Sequence, residues 1–145
     1  MPDEAATLTL GAALADCLTP GLVVYLTGEL GAGKTTLARG ILRGLGYTGR
    51  VKSPTFTLIE LYKLSRLYLY HFDFYRFDDP KEFEESGLRE YFAANAVCLV
   101  EWPEKTPGLP VADIHIRLQM ADSGRNVEIY ANTEAGGLCL ERLNY

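Results

Sequence analysis

The sequence predicts an α/β domain whose sheet is mixed, parallel in its centre and antiparallel toward its end. A buried strand, a glycine-rich loop and a helix follow one another at residues 22–45, a common opening of an α/β sheet. A second apolar run lies at 96–100, and apolar and polar residues alternate at 113–120 and 126–131, which is typical of antiparallel strands. Because the chain has 145 residues, we expect a single domain over 1–145.

The first third of the chain predicts a helix, a strand and a helix. Apolar residues recur at helical spacing from Thr7 to Leu18, with Thr7 as the N-cap and Pro20-Gly21 as the stop. The continuous apolar run from Leu22 to Thr27 predicts a buried strand, and a second helix is expected from about Lys34 to Leu45.

The middle of the chain predicts a hairpin followed by a short helical region. Residues 55–64 and 66–72 are rich in Thr, Leu and Tyr, and their short connection favours antiparallel pairing. A helix is expected from Asp79-Pro80 to Glu85, because proline is favoured in a first turn, and one or two further helical turns at 88–94.

The last third predicts strands and loops. The apolar run 96–100 reads as a buried strand, and the three prolines of 102–110 predict a loop. A hairpin then joins 113–120 to 126–131, and we expect a final short strand at 138–143.

Charge and composition exclude several classes of protein. The 14 basic and 19 acidic residues give a net charge of −5, which disfavours a protein that binds nucleic acid on its own. No apolar run approaches the roughly 20 residues of a membrane span. The acidic start and three widely separated cysteines favour a cytoplasmic protein with reduced thiols.

Residues 28–35, Gly-Glu-Leu-Gly-Ala-Gly-Lys-Thr, match the phosphate-loop pattern G-x-x-x-x-G-K-[ST]. Glycines allow the backbone N–H groups to turn inward, and the following helix adds partial positive charge toward phosphates. Lys34 would reach the β- and γ-phosphates, the Thr35 hydroxyl would bind Mg²⁺, and Thr36 would add a hydroxyl to the α-phosphate. The pattern therefore predicts a P-loop NTPase-like three-layer domain, whose predicted nucleotide contacts are Gly28, Gly31, Ala32, Gly33, Lys34, Thr35 and Thr36.

Acidic residues follow two of the predicted strands, where ligands of open α/β sheets bind. Glu101 follows the run 96–100, which is the position of an acid that holds Mg²⁺ or orients water; a solvated glutamate is the alternative. Asp73 follows the strand 66–72 and is the second candidate, with a helix cap or an ion pair to Arg76 as its alternative. The sequence leaves open which acid, if either, is a general base.

Three further residues have two interpretations each. Thr55, in Ser53-Pro54-Thr55, could sense a γ-phosphate through Mg²⁺ as switch loops do, or simply form a turn. His71 is as compatible with a structural role as with a catalytic one. Trp102, directly after Glu101, fits either packing or contact with a partner.

Three segments join the phosphate loop in order: V-K-S-P-T-F-T-L at 51–58, H-F-D-F-Y-R at 71–76 and L-V-E-W-P-E at 99–104. Together they resemble the TsaE family, formerly YjeE, of small bacterial P-loop ATPases. The resemblance spans nearly the whole chain, and the combination is far more specific than the phosphate loop alone.

The resemblance implies an accessory role in making N6-threonylcarbamoyladenosine at position 37 of tRNA. Such proteins bind and hydrolyse ATP with Mg²⁺ and act with a TsaD–TsaB pair, so tRNA would be contacted only through that complex. The family's Mg²⁺ ligands fall on Thr35 and Glu101, its motif aspartate on Asp73 and its switch-like threonine on Thr55. Lys34, Asp73 and Glu101 are then the expected catalytic residues, in an ATPase that is weak alone and depends on its partners.

Two other functions compete with this interpretation. A P-loop small-molecule or nucleoside kinase would share the phosphate loop, but such kinases usually carry an arginine-rich lid, and the sequence has no such segment. A GTP-dependent switch would be expected to carry N-K-x-D, which is also missing from the sequence.

Overall fold

The computed structural model describes residues 4–29, 33–51, 58–64, 67–75, 77, 81–92, 95–106, 108–121 and 124–143, with backbone alone at 120, 121 and 125. The helices are α1 (Glu4–Cys17), α2 (Lys34–Gly44), α3 (Lys81–Ser86) and α4 (Glu134–Glu141), with short 3₁₀ helices at Leu88–Phe92 and Pro103–Lys105. The strands are β1 (Val23–Thr27), β2 (Ile59–Lys63), β3 (Tyr68–Asp73), β4 (Ala96–Glu101), β5 (Ile114–Ala121) and β6 (Gly124–Ala131).

The six strands form one mixed sheet in the order β2-β3-β4-β1-β5-β6. The central pairs β3–β4, β4–β1 and β1–β5 are parallel, and the outer pairs β2–β3 and β5–β6 are antiparallel. The predicted mixed α/β sheet, parallel in its centre, is therefore confirmed. Because the four inner strands are parallel, their carboxyl ends meet at one edge of the sheet.

The sheet lies between two apolar layers, as the three-layer prediction requires. Alternate strand residues such as Val24 and Leu26 pack with α1, α2 and Cys139 of α4. Their neighbours, including Val23 and Phe72, pack with Phe83 of α3. All three cysteines are buried free thiols. No helix among the described residues is long and apolar enough to cross a membrane.

Helices α1 and α2 cross at a pair of glycines. A Cβ atom on Gly11 would lie 2.8 Å from the Cα atom of Gly40, and a Cβ atom on Gly40 would lie 2.7 Å from the carbonyl oxygen of Leu8. These contacts involve backbone atoms that no side-chain rotation can move away. The small size of both residues therefore sets the distance at which α2 packs on α1.

The predicted final strand at 138–143 is wrong, since this region forms α4. Thr133 caps the helix: its Oγ1 accepts a hydrogen bond of 3.0 Å from the N–H of Gly136. Cys139, Leu140 and Leu143 then pack on the core at helical spacing. The prediction of Thr7 as an N-cap is also wrong, because α1 begins at Glu4 and Thr7 is buried inside it.

The other predicted elements are present with shifted ends. The β2–β3 hairpin spans 59–73, and the parts of its prediction at 55–57 and 65–66 lie outside the described residues. The predicted start of α3 at 79–80 also lies outside them. The expected loop at 102–110 contains the 3₁₀ helix Pro103–Lys105.

Tyr25 ties the 102–112 segment to the central strand. Its hydroxyl donates a hydrogen bond to the carbonyl oxygen of Pro110. Burial raises the pKa of Tyr25 to about 12. The hydroxyl therefore remains a donor throughout the neutral range.

We expect Gly40→Ala to lower the free energy of unfolding by about 1–3 kcal/mol, because the added methyl overpacks the α1–α2 crossing. Gly137 in α4 is the matched control, since a Cβ atom there would meet nothing within 4 Å. Gly137→Ala should raise stability by about 0.5–1 kcal/mol through helix propensity alone. Urea unfolding of the two variants measures both changes, and a stabilised Gly40→Ala would contradict the packing argument.

We expect Tyr25→Phe to flatten the loss of stability at alkaline pH. The pKa of Tyr25 is raised from 10.0 to about 12 in the folded chain. Its stabilising contribution is therefore complete below pH 10 and is lost as pH rises toward 12, since only the unfolded chain ionises the hydroxyl in that window. Between pH 10 and 12, the midpoint temperature of thermal unfolding should fall more steeply with pH for the wild type than for Tyr25→Phe. Tyr68→Phe, at an exposed ring, should keep the wild-type slope; one common slope for all three proteins would show the argument to be wrong.

Candidate nucleotide-binding site

The glycines at the two ends of the phosphate loop have conformations that favour glycine. Gly28 has φ +142°, and a Cβ atom there would lie 2.3 Å from the carbonyl oxygen of Leu118. Gly33 has φ +104° and forms the N-cap of α2, where its carbonyl accepts a hydrogen bond of 2.9 Å from the N–H of Leu37. Gly28 thus follows the end of β1 and Gly33 precedes the first turn of α2, and a helix N-terminus in this position favours phosphate binding.

The side chain of Lys34 is buried, with only 5% of the residue exposed. Its Nζ donates a hydrogen bond of 2.6 Å to the carbonyl oxygen of Gly28 and lies 3.8 Å from the centroid of the Trp102 ring. Burial lowers the pKa of Lys34, while the carboxylates of Glu101, Asp73 and Glu104 oppose that shift. The ammonium group is therefore enclosed by a carbonyl, a ring face and nearby acids.

The two strand-end acids lie side by side. In the parallel pair β3–β4, Asp73 is in register with Glu101, and the two residues are only 4% and 3% exposed. The Oδ1 atom of Asp73 accepts a hydrogen bond of 2.9 Å from the N–H of Tyr75. By strand alternation both acids point to the face that carries α2, so they approach Lys34 from the sheet.

His71 is bonded directly to one of these acids. Its Nε2 lies 2.6 Å from Oε2 of Glu101, and His71 is completely buried. Its other ring nitrogen, Nδ1, is buried without a hydrogen-bond partner within the described part of the chain. The pair is therefore shielded from water, and its geometry is set by the two strands.

Trp102 has a left-handed backbone, with φ 58° and ψ 48°, directly after Glu101. Its ring contacts Lys34 on one side and lies 4.9 Å from the ring of Tyr75. Trp102 also packs on the apolar layer that contains Phe74, so the predicted packing role is confirmed, and the contact with Lys34 is an addition to it.

A cleft of about 1070 Å³ opens beside the phosphate loop, on the sheet face away from α1 and α2. Gly28, Glu29 and Glu104 line its end near the loop. Thr27 and His115 also line the cleft, where Oγ1 of Thr27 lies 2.8 Å from Nε2 of His115, whose pKa is lowered by burial. The phosphate loop can therefore be approached from this side of the sheet.

The structure brings most of the predicted site residues together. Gly28, Gly33, Lys34, Thr35 and Thr36 form the two ends of the loop and the first turn of α2, with Asp73 and Glu101 beside them. The predicted residues Gly31, Ala32 and Thr55 lie outside the described residues.

Sequence reasoning missed two contacts, those of His71 with Glu101 and of Trp102 with Lys34. The signal for the first was present: His71 precedes Asp73 by two residues in a strand, so both side chains point to one face. The neighbour that His71 meets depends on strand order, which the sequence does not reveal. The second contact depends on the left-handed backbone of Trp102.

Comparisons with known proteins agree along most of the chain. Residues 1–127 match the family model TsaE, described as threonylcarbamoyl adenosine biosynthesis protein TsaE. Proteins named tRNA threonylcarbamoyladenosine biosynthesis protein TsaE from Haemophilus influenzae and a Nostoc species are 47% and 41% identical. The alignment with the Haemophilus protein covers 94% of this chain and 90% of that relative. The alignment with the Nostoc protein covers 89% of this chain and 82% of that relative.

A solved structure supports the same assignment. The crystal structure of Bacillus subtilis YdiB superposes with a TM-score of 0.85 at 35% sequence identity. The match covers 99% of this chain and 90% of that chain. By sequence and by fold, this chain belongs to the TsaE family of threonylcarbamoyladenosine biosynthesis proteins.

Proposed function

We propose that this chain is a Mg²⁺-dependent ATPase that acts with a TsaD–TsaB pair when N6-threonylcarbamoyladenosine is made at position 37 of tRNA. One observation carries the ATPase proposal: a buried lysine at the N-terminus of α2 lies beside two buried carboxylates at strand ends. That combination supplies a grip for phosphates together with oxygen ligands for a divalent cation.

Lys34 and the N-terminus of α2 would bind the phosphates of ATP. The partial positive charge of the helix N-terminus and the lysine ammonium both favour an anion at this point. Lys34 now donates to the carbonyl oxygen of Gly28, so a phosphate oxygen would replace or share that acceptor. Because the lysine is already desolvated, the exchange costs little further dehydration.

The donor set beside Lys34 fits Mg²⁺. The hydroxyl of Thr35 and the carboxylates of Glu101 and Asp73 are hard oxygen donors, which Mg²⁺ prefers, and it commonly takes only one or two protein carboxylates. Thr35 and Glu101 are the residues that would hold the ion, directly or through water. When bound, Mg²⁺ neutralises charge on the β- and γ-phosphates.

The second carboxylate, Asp73, would orient the attacking water. Its Oδ1 is engaged by the N–H of Tyr75, which fixes the direction of the carboxylate. A positioned oxygen acceptor is what phosphoryl transfer to water needs in addition to metal and lysine. The roles of Asp73 and Glu101 could be exchanged, and separate variants of the two acids decide between them.

Family membership supports the tRNA part of the proposal. The relatives from Haemophilus influenzae and Nostoc carry tRNA threonylcarbamoyladenosine biosynthesis in their names. This chain has a net charge of −5, which is unsuited to binding tRNA alone but compatible with acting through protein partners. The TsaD–TsaB pair is the partner that the family resemblance implies.

We expect Lys34→Met to weaken ATP binding by about 10- to 100-fold, the loss of a charge-assisted phosphate contact of about 1.5–3 kcal/mol. Lys63→Met is the matched control, since Lys63 is exposed on the edge strand β2 and should leave affinity unchanged. Isothermal titration calorimetry measures both. If the two variants bound ATP with equal affinity, Lys34 would not be a phosphate-binding residue.

We expect ATP hydrolysis to rise strongly when a TsaD–TsaB pair is added in Mg²⁺, because partner contact would complete a site that is weak alone. Glu101→Gln should abolish most of this stimulated rate while ATP binding persists, since the lost charge acts on the metal rather than on the phosphate grip. Phosphate release with and without the pair is the measurement. An unchanged rate would contradict the partner proposal, and phosphate transfer to an added nucleoside would favour the kinase.

A further inference from the structure

We propose that His71 is a positioning residue, whose Nε2–H donates to Oε2 of Glu101, so that Oε1 is the oxygen that Glu101 offers to the metal site. This inference rests on the proposed function, because it assigns His71 to the Mg²⁺-binding acid of that site. It concerns the orientation of Glu101 and assigns no contact between His71 and ATP.

Burial makes this hydrogen bond the main constraint on Glu101. The Nε2–Oε2 distance is 2.6 Å, and the side chains of His71 and Glu101 are 0% and 4% exposed. Water therefore does not compete for the bonded oxygen. A hydrogen bond to a charged acceptor in such surroundings is strong, and losing it would leave a buried carboxylate oxygen unsatisfied.

The unpaired ring nitrogen identifies the tautomer. A carboxylate can only accept, so the hydrogen of the His71–Glu101 bond belongs on Nε2. Nδ1 is buried and has no partner among the residues that the structure describes. A hydrogen on Nδ1 would be a buried donor without an acceptor, whereas a bare lone pair leaves only an unused acceptor. The geometry thus places the hydrogen of this bond on Nε2.

The bond also keeps Glu101 from pairing with Lys34. Terminal carboxylate torsions of glutamate are broad, so an unrestrained Glu101 could turn toward the nearby ammonium. Lys34 instead donates to the carbonyl oxygen of Gly28, although Glu101 is the largest electrostatic influence that favours its charged form. By holding Oε2, His71 keeps the lysine available for phosphate and the acid available for metal.

The test compares His71→Gln with His71→Asn. Both replacements carry an amide donor, but the Gln nitrogen reaches the position of Nε2, whereas the Asn nitrogen reaches only that of Nδ1. The first readout is Mn²⁺ binding to the ADP-loaded protein by electron paramagnetic resonance. The second is the Mg²⁺ concentration that gives half-maximal ATP hydrolysis.

We expect His71→Asn to weaken Mn²⁺ binding by about 10- to 100-fold, the usual effect of losing an outer hydrogen bond to a metal ligand. The half-maximal Mg²⁺ concentration should rise in parallel, and His71→Gln should stay close to the wild type in both readouts. ADP affinity in EDTA should be unchanged in both variants, because the phosphates are held by Lys34. If the role of His71 were purely structural, its loss would not lower metal affinity while leaving nucleotide affinity unchanged.

The position of the ring hydrogen is tested on the wild-type protein, so this experiment does not depend on whether a variant folds. The chain has two histidines, so ¹⁵N NMR of the imidazole rings gives two resolvable spin systems, with His115 as the internal reference. We expect His71 to carry a hydrogen on Nε2. A His71 ring without a hydrogen on Nε2 would overturn the inference.

The remaining outcomes separate this inference from the proposed function. If His71→Asn binds Mn²⁺ as the wild type does while Glu101→Gln does not, His71 has no positioning role and the proposed function stands. If circular dichroism shows both variants to be folded and they lose metal affinity equally, His71 again has no positioning role and the proposed function stands. If Glu101→Gln itself binds Mn²⁺ normally, the metal role of Glu101 fails and the inference fails with it.

Discussion

The burial of the ammonium group of Lys34 constrains every side chain around it. A buried cation is stable only when hydrogen-bonded and close to opposite charge, and both conditions are met here. The carbonyl oxygen of Gly28 accepts its hydrogen, the Trp102 ring covers it, and Asp73 and Glu101 supply negative charge. The two acids are themselves buried, so the nearby ammonium in turn favours their charged forms. The phosphate loop is thus joined electrostatically to β3 and β4.

The parallel centre of the sheet is what brings these charges together. Asp73 and Glu101 end adjacent parallel strands in register, and β1 beside them leads into the loop that carries Lys34. An antiparallel neighbour would have sent one acid to the opposite edge of the sheet. The α1–α2 glycine crossing lies on the same face of the sheet as the acids, and it sets how closely α2 packs on its neighbouring helix. The site is therefore positioned by strand pairing in the sheet and by the packing of α2 on α1.

The sequence predicts the parts of this molecule that depend on local pattern. The phosphate-loop pattern locates β1 and the start of α2, and clean alternation locates β5 and β6. The prediction fails at α4, where two glycines weaken the helix signal and the apolar residues 138–140 resemble a strand, although Thr133 provides a helix cap. It places Asp73 and Glu101 at strand ends but does not give their register or the bond between His71 and Glu101. Those features depend on which strands become neighbours, a choice made by tertiary packing rather than by local propensity.

The central place of β1 has a consequence for synthesis of the chain on the ribosome. β1 is made early, yet both of its sheet partners, β4 and β5, lie beyond residue 95. At usual rates of translation the apolar segment 22–26 therefore waits several seconds before it can be paired. During that interval α1 and α2 can pack on each other, but Glu101 is not yet made. Asp73 is not yet held beside Lys34, because β3 is joined to β1 only through β4. The charged cluster around Lys34 can therefore form only late in synthesis, and until then the apolar strand segment is exposed to non-native contacts.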